Sequence, residues 1–368
     1  MKVVKVRSPF IIQVNETTQI GSKIEVFIWN SSATEPATPT YTLSKPIPTL
    51  NQRLTSYNVS NFVKEYIDNI APTYPSTIQQ EDANNWAYFR VKRYWNNAGT
   101  YTLLDNILYV GINGFTDYTE GLQVPQETRV KFLFNENIKN NYQTSSTYPN
   151  GNTQYLNVFF DFTNVADQLN IVYSRIDGTA YNFTLSYNNL IGVLLFKIPI
   201  TLAKVNGNLV NGCKVAITFT PQSGTVFTDD FYTYPIEECK YTPVLCDFVN
   251  SYGGWQTLTL YKAQTNSLQV KKESYKLSPE AVNYNPLIGQ SKSFNHSGAK
   301  SIKINTGFVD ENYSELINDL LLSETILLDR KPVKIKTESA ELKTVLKDKL
   351  INYELDFEYA YNTINDVV

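Results

Sequence analysis

Apolar and polar residues alternate along most of this chain, and a period of two is the signature of strands. In residues 23–29, Ile24, Val26 and Ile28 share one face while Phe27 and Trp29 share the other. Both sides of that strand are therefore expected to be covered. Residues 86–94 and 101–110 read as two more strands, and Asn96, Asn97, Ala98 and Gly99 between them are turn residues, which predicts a hairpin. Residues 31–48 are rich in Ser, Thr and Pro and read as a loop or sheet edge. One stretch breaks the pattern. Val59, Phe62, Val63, Tyr66, Ile67 and Ile70 recur at helical spacing after Asn58, a good N-cap, and Pro72 and Pro75 follow. The spacing predicts a helix over about 58–70, and residues 1–125 read as a β-sandwich crossed by it.

Past Pro125 no helical period is visible up to residue 245. Short alternating runs at 130–134, 155–162, 170–175, 181–187, 192–200 and 215–220 are separated by turn dipeptides such as Asp177-Gly178 and Asn206-Gly207. They predict a second β-sandwich over 126–245, of immunoglobulin or fibronectin III type. Residues 246–368 differ. Strands are expected at 257–262 and 269–274. Asp310 can cap a helix over about 310–322, whose stripe is Tyr313, Leu316, Ile317, Leu320 and Leu321. In the closing strand, Ile351, Tyr353, Leu355, Phe357, Tyr359 and Tyr361 face one side, and Asn352, Glu354, Asp356 and Glu358 the other. Residues 333–336 alternate likewise, so Lys334 and Lys336 can face those carboxylates. Each such cross-strand pair contributes about 0.2–1 kcal/mol, which sets register more than stability. A sheet with one packed helix is the expected third domain.

Composition narrows the function. The 368 residues hold one His, one Met and three Cys, but 26 Tyr and 19 Phe. Groups that do acid/base, nucleophilic or metal chemistry are scarce, and groups that fill sheets and interfaces are abundant. A net charge of −3 and a pI near 5.5 argue against a nucleic-acid footprint or a polybasic membrane contact. No apolar run nears the roughly 20 residues needed to span a bilayer. Lys5, Arg7, Ser8 and Pro9 interrupt the N-terminal apolar residues, so a secretory signal is not expected. Cys213, Cys239 and Cys246 form no CxxC pair. Reduced, buried thiols are expected, although Cys239 and Cys246 could bridge in an oxidising setting.

Individual candidates for chemistry lack partners. His296, in a turn-like Ser-Phe-Asn-His-Ser-Gly context, could be a general base, but no nucleophile elbow accompanies it. Asp117 with Glu120, Asp229 with Asp230, and Asp161 with Asp167 could suggest paired glycosidase carboxylates, but pairs arise by chance among 35 acidic residues. Glu81 and Asp82 with Asn84 and Asn85 offer oxygens without the spacing of a calcium loop. Gly111 to Gly114 lacks the Lys-Ser/Thr of a phosphate loop. Catalytic, cofactor and metal residues are therefore none. Trp29, Trp86, Trp95 and Trp255 could stack on sugars or, equally, fill cores and contacts.

Three segments together carry a resemblance. They are residues 57–67, YNVSNFVKEYI; residues 247–262, DFVNSYGGWQTLTLYK; and Asn305-Thr306-Gly307-Phe308 with Leu327-Leu328-Asp329-Arg330-Lys331-Pro332-Val333 and the closing strand. Their order and spacing resemble virion structural proteins of tailed phages infecting Bacteroidetes, crAss-like phages included. The resemblance implies a ring-forming component of the tail or neck below the portal. It would be made in the host cytoplasm, with neighbouring portal, tail or fibre proteins. Closure of such a ring, roughly six- or twelve-fold, needs a heterologous contact between copies. Physically, Gly253 and Gly254 allow a tight turn before Trp255, which is expected to anchor the third domain on the second, and Gly307 relaxes the chain into the helix. Trp255, Gly253, Gly254, Tyr66, Leu316, Tyr353 and Phe357 are the structural or interface candidates. Two rivals are a glycan-binding adhesin or fibre adaptor, which needs exposed Trp, and a tail depolymerase, which needs converging carboxylates.

Overall fold

Alternation becomes sheet throughout: the chain is mainly β, with two α-helices among the described residues. The computed structural model describes residues 1–30, 33–47, 53–72, 79–80, 83–134, 140–143, 153–176, 182–201, 213–236, 240–278, 285, 287–311, 313–337 and 350–364.

The first unit holds β1 (Val3–Lys5), β2 (Ile11–Val14), β3 (Gly21–Asn30), β4 (Tyr41–Pro46), β5 (Thr55–Asn58), α1 (Ser60–Lys64), β6 (Gln79–Gln80), β7 (Trp86–Asn97) and β8 (Thr100–Ile112). A five-stranded sheet, ordered β1-β8-β7-β3-β4, faces the small β2-β5 pair and α1. Val4, Phe10, Ile12, Ile24, Val26 and Phe89 fill the space between. The β7-β8 hairpin turns on Ala98 and Gly99, both at positive φ (53° and 90°). That is the two-residue turn whose twist matches a hairpin. The helix is shorter than its apolar spacing predicts. Asn58 Oδ1 accepts from Ser60 N at 3.2 Å, as an N-cap group would, but it also accepts from Phe10 N at 3.2 Å and so belongs to the β2-β5 ladder. Beyond Lys64 the chain tightens, with Tyr66 N bonding Val63 O and Ile67 N bonding Lys64 O. Tyr66 and Ile67 still reach the core this way, so apolar spacing continues where the helix does not.

The second unit holds β9 (Val130–Phe132), β10 (Asn140–Gln143), β11 (Thr153–Phe162), β12 (Gln168–Arg175), β13 (Asn182–Tyr187), β14 (Gly192–Thr201), β15 (Cys213–Thr220) and β16 (Phe227–Ile236). Two sheets, β10-β16-β15-β12-β13 and β6-β14-β11-β9, sandwich a core of Val158, Phe160, Phe162, Ile171, Ile217 and Phe219. The rings of Phe160 and Phe219 stack across it, 5.7 Å apart. β6 comes from the first unit yet pairs with β14 of the second. Asp229 and Asp230 lie within β16.

The third unit holds β17 (Val244–Val249), β18 (Trp255–Leu260), β19 (Gln264–Lys276), β20 (Ser291–Asp310), α2 (Tyr313–Leu321), β21 (Ile326–Leu328), β22 (Lys331–Ile335) and β23 (Leu350–Asn362). Its seven strands run β18-β17-β21-β22-β23-β20-β19. The two edge strands, β18 and β19, are joined by residues 261–263 alone, so the sheet curls until β18 faces β20. Tyr313, Leu316, Ile317 and Leu320 of α2 close the curl over Phe248, Leu355 and Phe357. Two expectations change here. Asp310 is no helix cap: it ends β20 opposite Leu350. Gly307 does not relax the chain into the helix either. It sits at φ 73° in a bulge inside β20, against Lys262 and Tyr261, which a Cβ would meet at 2.9 Å and 3.4 Å. The lysine alternation holds. Lys334 lies opposite Glu358, and Lys336 Nζ is 3.3 Å from the same carboxylate.

Candidate interface surfaces

The turn between β17 and β18 is where the three units meet. Asn250 is fully buried there and uses its whole amide. Its Nδ2 donates to Leu133 O at 3.0 Å and to Gln256 Oε1 at 2.9 Å, and its Oδ1 accepts from Tyr252 N at 3.0 Å and Gly254 N at 3.1 Å. A buried amide satisfied on all sides fixes a unique arrangement. The glycines let backbones touch. A Cβ on Gly254 would lie 2.5 Å from Leu133 O in the second unit. One on Gly253, whose φ is 81°, would lie 2.8 Å from Gly114 N in the first, and one on Gly114 would lie 2.5 Å from Ser251 O. Phe115 N then donates to Ser251 O at 2.9 Å.

Polar groups extend this seam. Arg7 Nη2 donates to Leu322 O at 2.7 Å, and Glu324 Oε1 is 3.4 Å from Arg7 Nε and 2.8 Å from Lys64 Nζ. Ser251 Oγ donates to Asp319 Oδ2 at 3.0 Å. Burial pushes the Asp319 carboxyl up and the Lys5 ammonium down, and their mutual attraction offsets part of each shift. Between the first two units, Trp86 and Ile112 pack on Leu133, Phe159 and Leu195. Tyr88 Oη donates to Val193 O at 3.2 Å across the same seam, and burial pushes its phenol up to about 12.

The sequence candidates divide by place. Gly253, Gly254 and Trp255 come together at this junction. Trp255 packs with Val249 and Leu327, on a strand lying against β11 of the second unit. Leu316, Tyr353 and Phe357 meet in the third core, and Tyr66 leans on the first. None of the seven is exposed. Trp86 and Trp255 are buried, Trp29 stacks on Tyr88 at 5.5 Å, and Trp95 is half-buried. None of the four stands clear as a sugar platform.

His296 is on β20 rather than in a turn. It is exposed, and its Nε2 lies 3.0 Å from Ser293 Oγ. Among the described residues no cluster of His, Cys, Asp and Glu could hold a metal ion. Asp161 and Asp167 do approach one group, Arg129. It donates to Asp161 O at 2.9 Å and pairs with the Asp167 carboxylate. Burial alone would raise Asp167. Bonds from Gln222 N and Asn164 N, both 2.9 Å, and the Arg129 charge outweigh it and hold the carboxyl below its usual range. This is a structural clamp on a turn. Asp117 and Glu120 form a capping box on a short 3-10 turn. Cys246 is buried and free, with its thiol pushed up by burial. Cys239, Glu81 and Asp82 lie outside the described residues.

Sequence reasoning misses one surface. All thirteen residues of β19 are exposed. With the outer half of β20 they form a two-stranded arm leaving the third unit, because β23 pairs with β20 only from Ala299 inward. The signal available was charge: residues 264–304 carry six lysines against Glu273 and Glu280. Alternation alone gives a strand's period and says nothing about what covers its faces. No protein-family model and no curated protein matches the chain.

Proposed function

We propose that this chain is a non-enzymatic virion structural protein that assembles with copies of itself into a ring of a phage tail or neck, below the portal. The observation that carries this reading is the exposed β19 arm on a body whose three units share buried seams. A module meant to move about its linkers would not spend a fully bonded Asn250 and three close glycine contacts on fixing them together. A strand exposed over its whole length has apolar side chains that gain stability only when something covers them. The three segments that resemble phage virion proteins lie at this body's structural points: the first helix, the junction turn, and the third core. The half-buried or buried state of every tryptophan speaks for packing over glycan stacking.

Negative-stain electron microscopy with native mass spectrometry of the purified chain tests the reading. Closed rings of one stoichiometry are expected, roughly six or twelve copies. A monomer at all concentrations and salt levels, together with absence from any particle, would overturn it.

A further inference from the structure

We infer that the β19-β20 arm of one copy seats on the 115–127 strap of the next, so that assembly proceeds arm to strap; this rests on the ring reading above. The arm is unfinished by itself. Beyond Ala299 it is a two-stranded ribbon with no third strand among the described residues, and an isolated ribbon is marginal in water. By register, Leu268 and Val270 extend the face on which Ile302 and Ile304 are buried, yet they are 53% and 54% exposed. On the outer part, Tyr275 and Phe294 pack edge to face, 5.6 Å apart, and remain exposed. A bulge at Asn295, at φ 51°, brings Phe294 to the side of Tyr275, the face of the ribbon opposite Leu268 and Val270.

The occupant follows from charge. Residues 264–304 carry a net +4 in a chain whose total is −3. Lys271, Lys272, Lys276, Lys292 and Lys300 have no carboxylate partner among the described residues; Lys303 pairs with Glu354. The complementary surface is on the chain itself. Residues 115–127 hold Asp117, Glu120 and Glu127 with no Lys or Arg. They also present Tyr118 at 97% and Val124 at 74% exposure. Two cations, Lys5 and Lys131, line the cleft of 480 Å³ beneath the strap.

The strap is held ready. Gln123 accepts from Lys5 N at 2.9 Å and donates to Lys5 O at 2.8 Å, and the Asp117-Glu120 capping box fixes the turn. Little ordering cost remains on that side. Among the described residues no hydrogen bond or ion pair joins the arm to its own strap. The arm belongs to the outer edge of the third unit, and the strap to the border of the first and second. Two different patches make a heterologous contact, the kind that closes rings.

Charge reversal tests this. Sedimentation velocity of the full chain across concentration and salt would follow three proteins: Lys271→Glu/Lys272→Glu/Lys276→Glu, Glu120→Lys/Glu127→Lys, and their combination. Each reversal alone is expected to raise the midpoint concentration for assembly about tenfold or more, and the combination to recover most of that loss. Mixing the two single-sided variants is expected to restore assembly in strictly alternating order, since each variant's arm is complementary to the other's strap and repelled by its own. Leu268→Ser/Val270→Ser repeats the test without charge and decides it should a reversal variant melt early.

Assembly of the unmodified chain that is insensitive to the arm variants, or no recovery in the combination, overturns the contact and leaves the ring reading standing. Loss of duplex DNA binding with assembly intact overturns it in favour of a nucleic-acid surface. A chain that never assembles overturns both.

Discussion

The junction turn and the arm are built from neighbouring stretches of one chain, and they are opposites. Asn250 to Trp255 packs backbone against backbone, satisfies its buried amide within the chain, and tolerates no Cβ at its own two glycines or at Gly114 against it. A few residues later, β19 runs for thirteen exposed positions, and five of the arm's lysines have no carboxylate partner among the described residues. Under the arm-to-strap proposal, the first region is complete in a single copy and the second is completed by a neighbour. Stability and association then fall to different residues, and each can be broken without the other.

The largest effect is expected at the junction. Gly254→Val places methyl groups where a Cβ alone would already be 2.5 Å from Leu133 O. It should cost about 3 kcal/mol or more, read by urea denaturation. On the arm side, a Cβ at Gly289 meets only Ser291 O at 3.7 Å, so Gly289→Ala should stay within about 0.5 kcal/mol. Equal costs at the two sites would erase the contrast. Next is Asn250→Ala, which strands Leu133 O and Gln256. A loss of about 2–3 kcal/mol is expected, with the folded monomer, if any survives, still presenting its arm.

Asp167→Asn should cost about 2 kcal/mol at neutral pH, from bonds made to a charged group. The sign follows from its lowered value. Stability from an ionised Asp167 is complete above the unfolded carboxyl's pKa, about 4, and is lost as pH falls through the folded value. The variant and the parent should therefore converge in acid, and denaturation against pH would show it. A small effect on stability is expected from removing residues 269–297 behind a short turn. The melting temperature should move by only a few degrees, while assembly is lost. Hydrogen exchange would sharpen this, with arm amides fastest in the monomer and slowed in the assembled form.

Much of the fold was legible because alternation is a local property. The β7-β8 hairpin follows from Ala98 and Gly99, and β23 from six apolar residues spaced by two. The lysines of residues 333–336 meet Glu358 as their period requires. What was lost is what period cannot carry. Tyr66 and Ile67 keep helical spacing but reach the core through tighter turns, and Ile70 is left exposed, because Asn58 is shared with Phe10 and the first sheet sets the chain's direction. Asp310 looked like a cap because a polar residue before an apolar stripe is the same signal whether a strand ends there or a helix begins. The seam candidates Gly253 and Gly254 were visible as a turn. Their closeness to Leu133 and Gly114 was not, since that depends on pairings more than a hundred residues apart. The curl of the third sheet, and β6 crossing to the second unit, were hidden for the same reason.

The short link of residues 261–263 has a mechanical consequence. It couples the arm to β18, whose far end is Trp255 at the meeting point of all three units. A neighbour pulling on the ribbon therefore delivers its force along β18. There it is opposed by six residue pairs with β17, loaded together in shear instead of being peeled one by one. The lever stands exposed, and its fulcrum is the place where close glycine contacts and a fully bonded Asn250 lock the three units together.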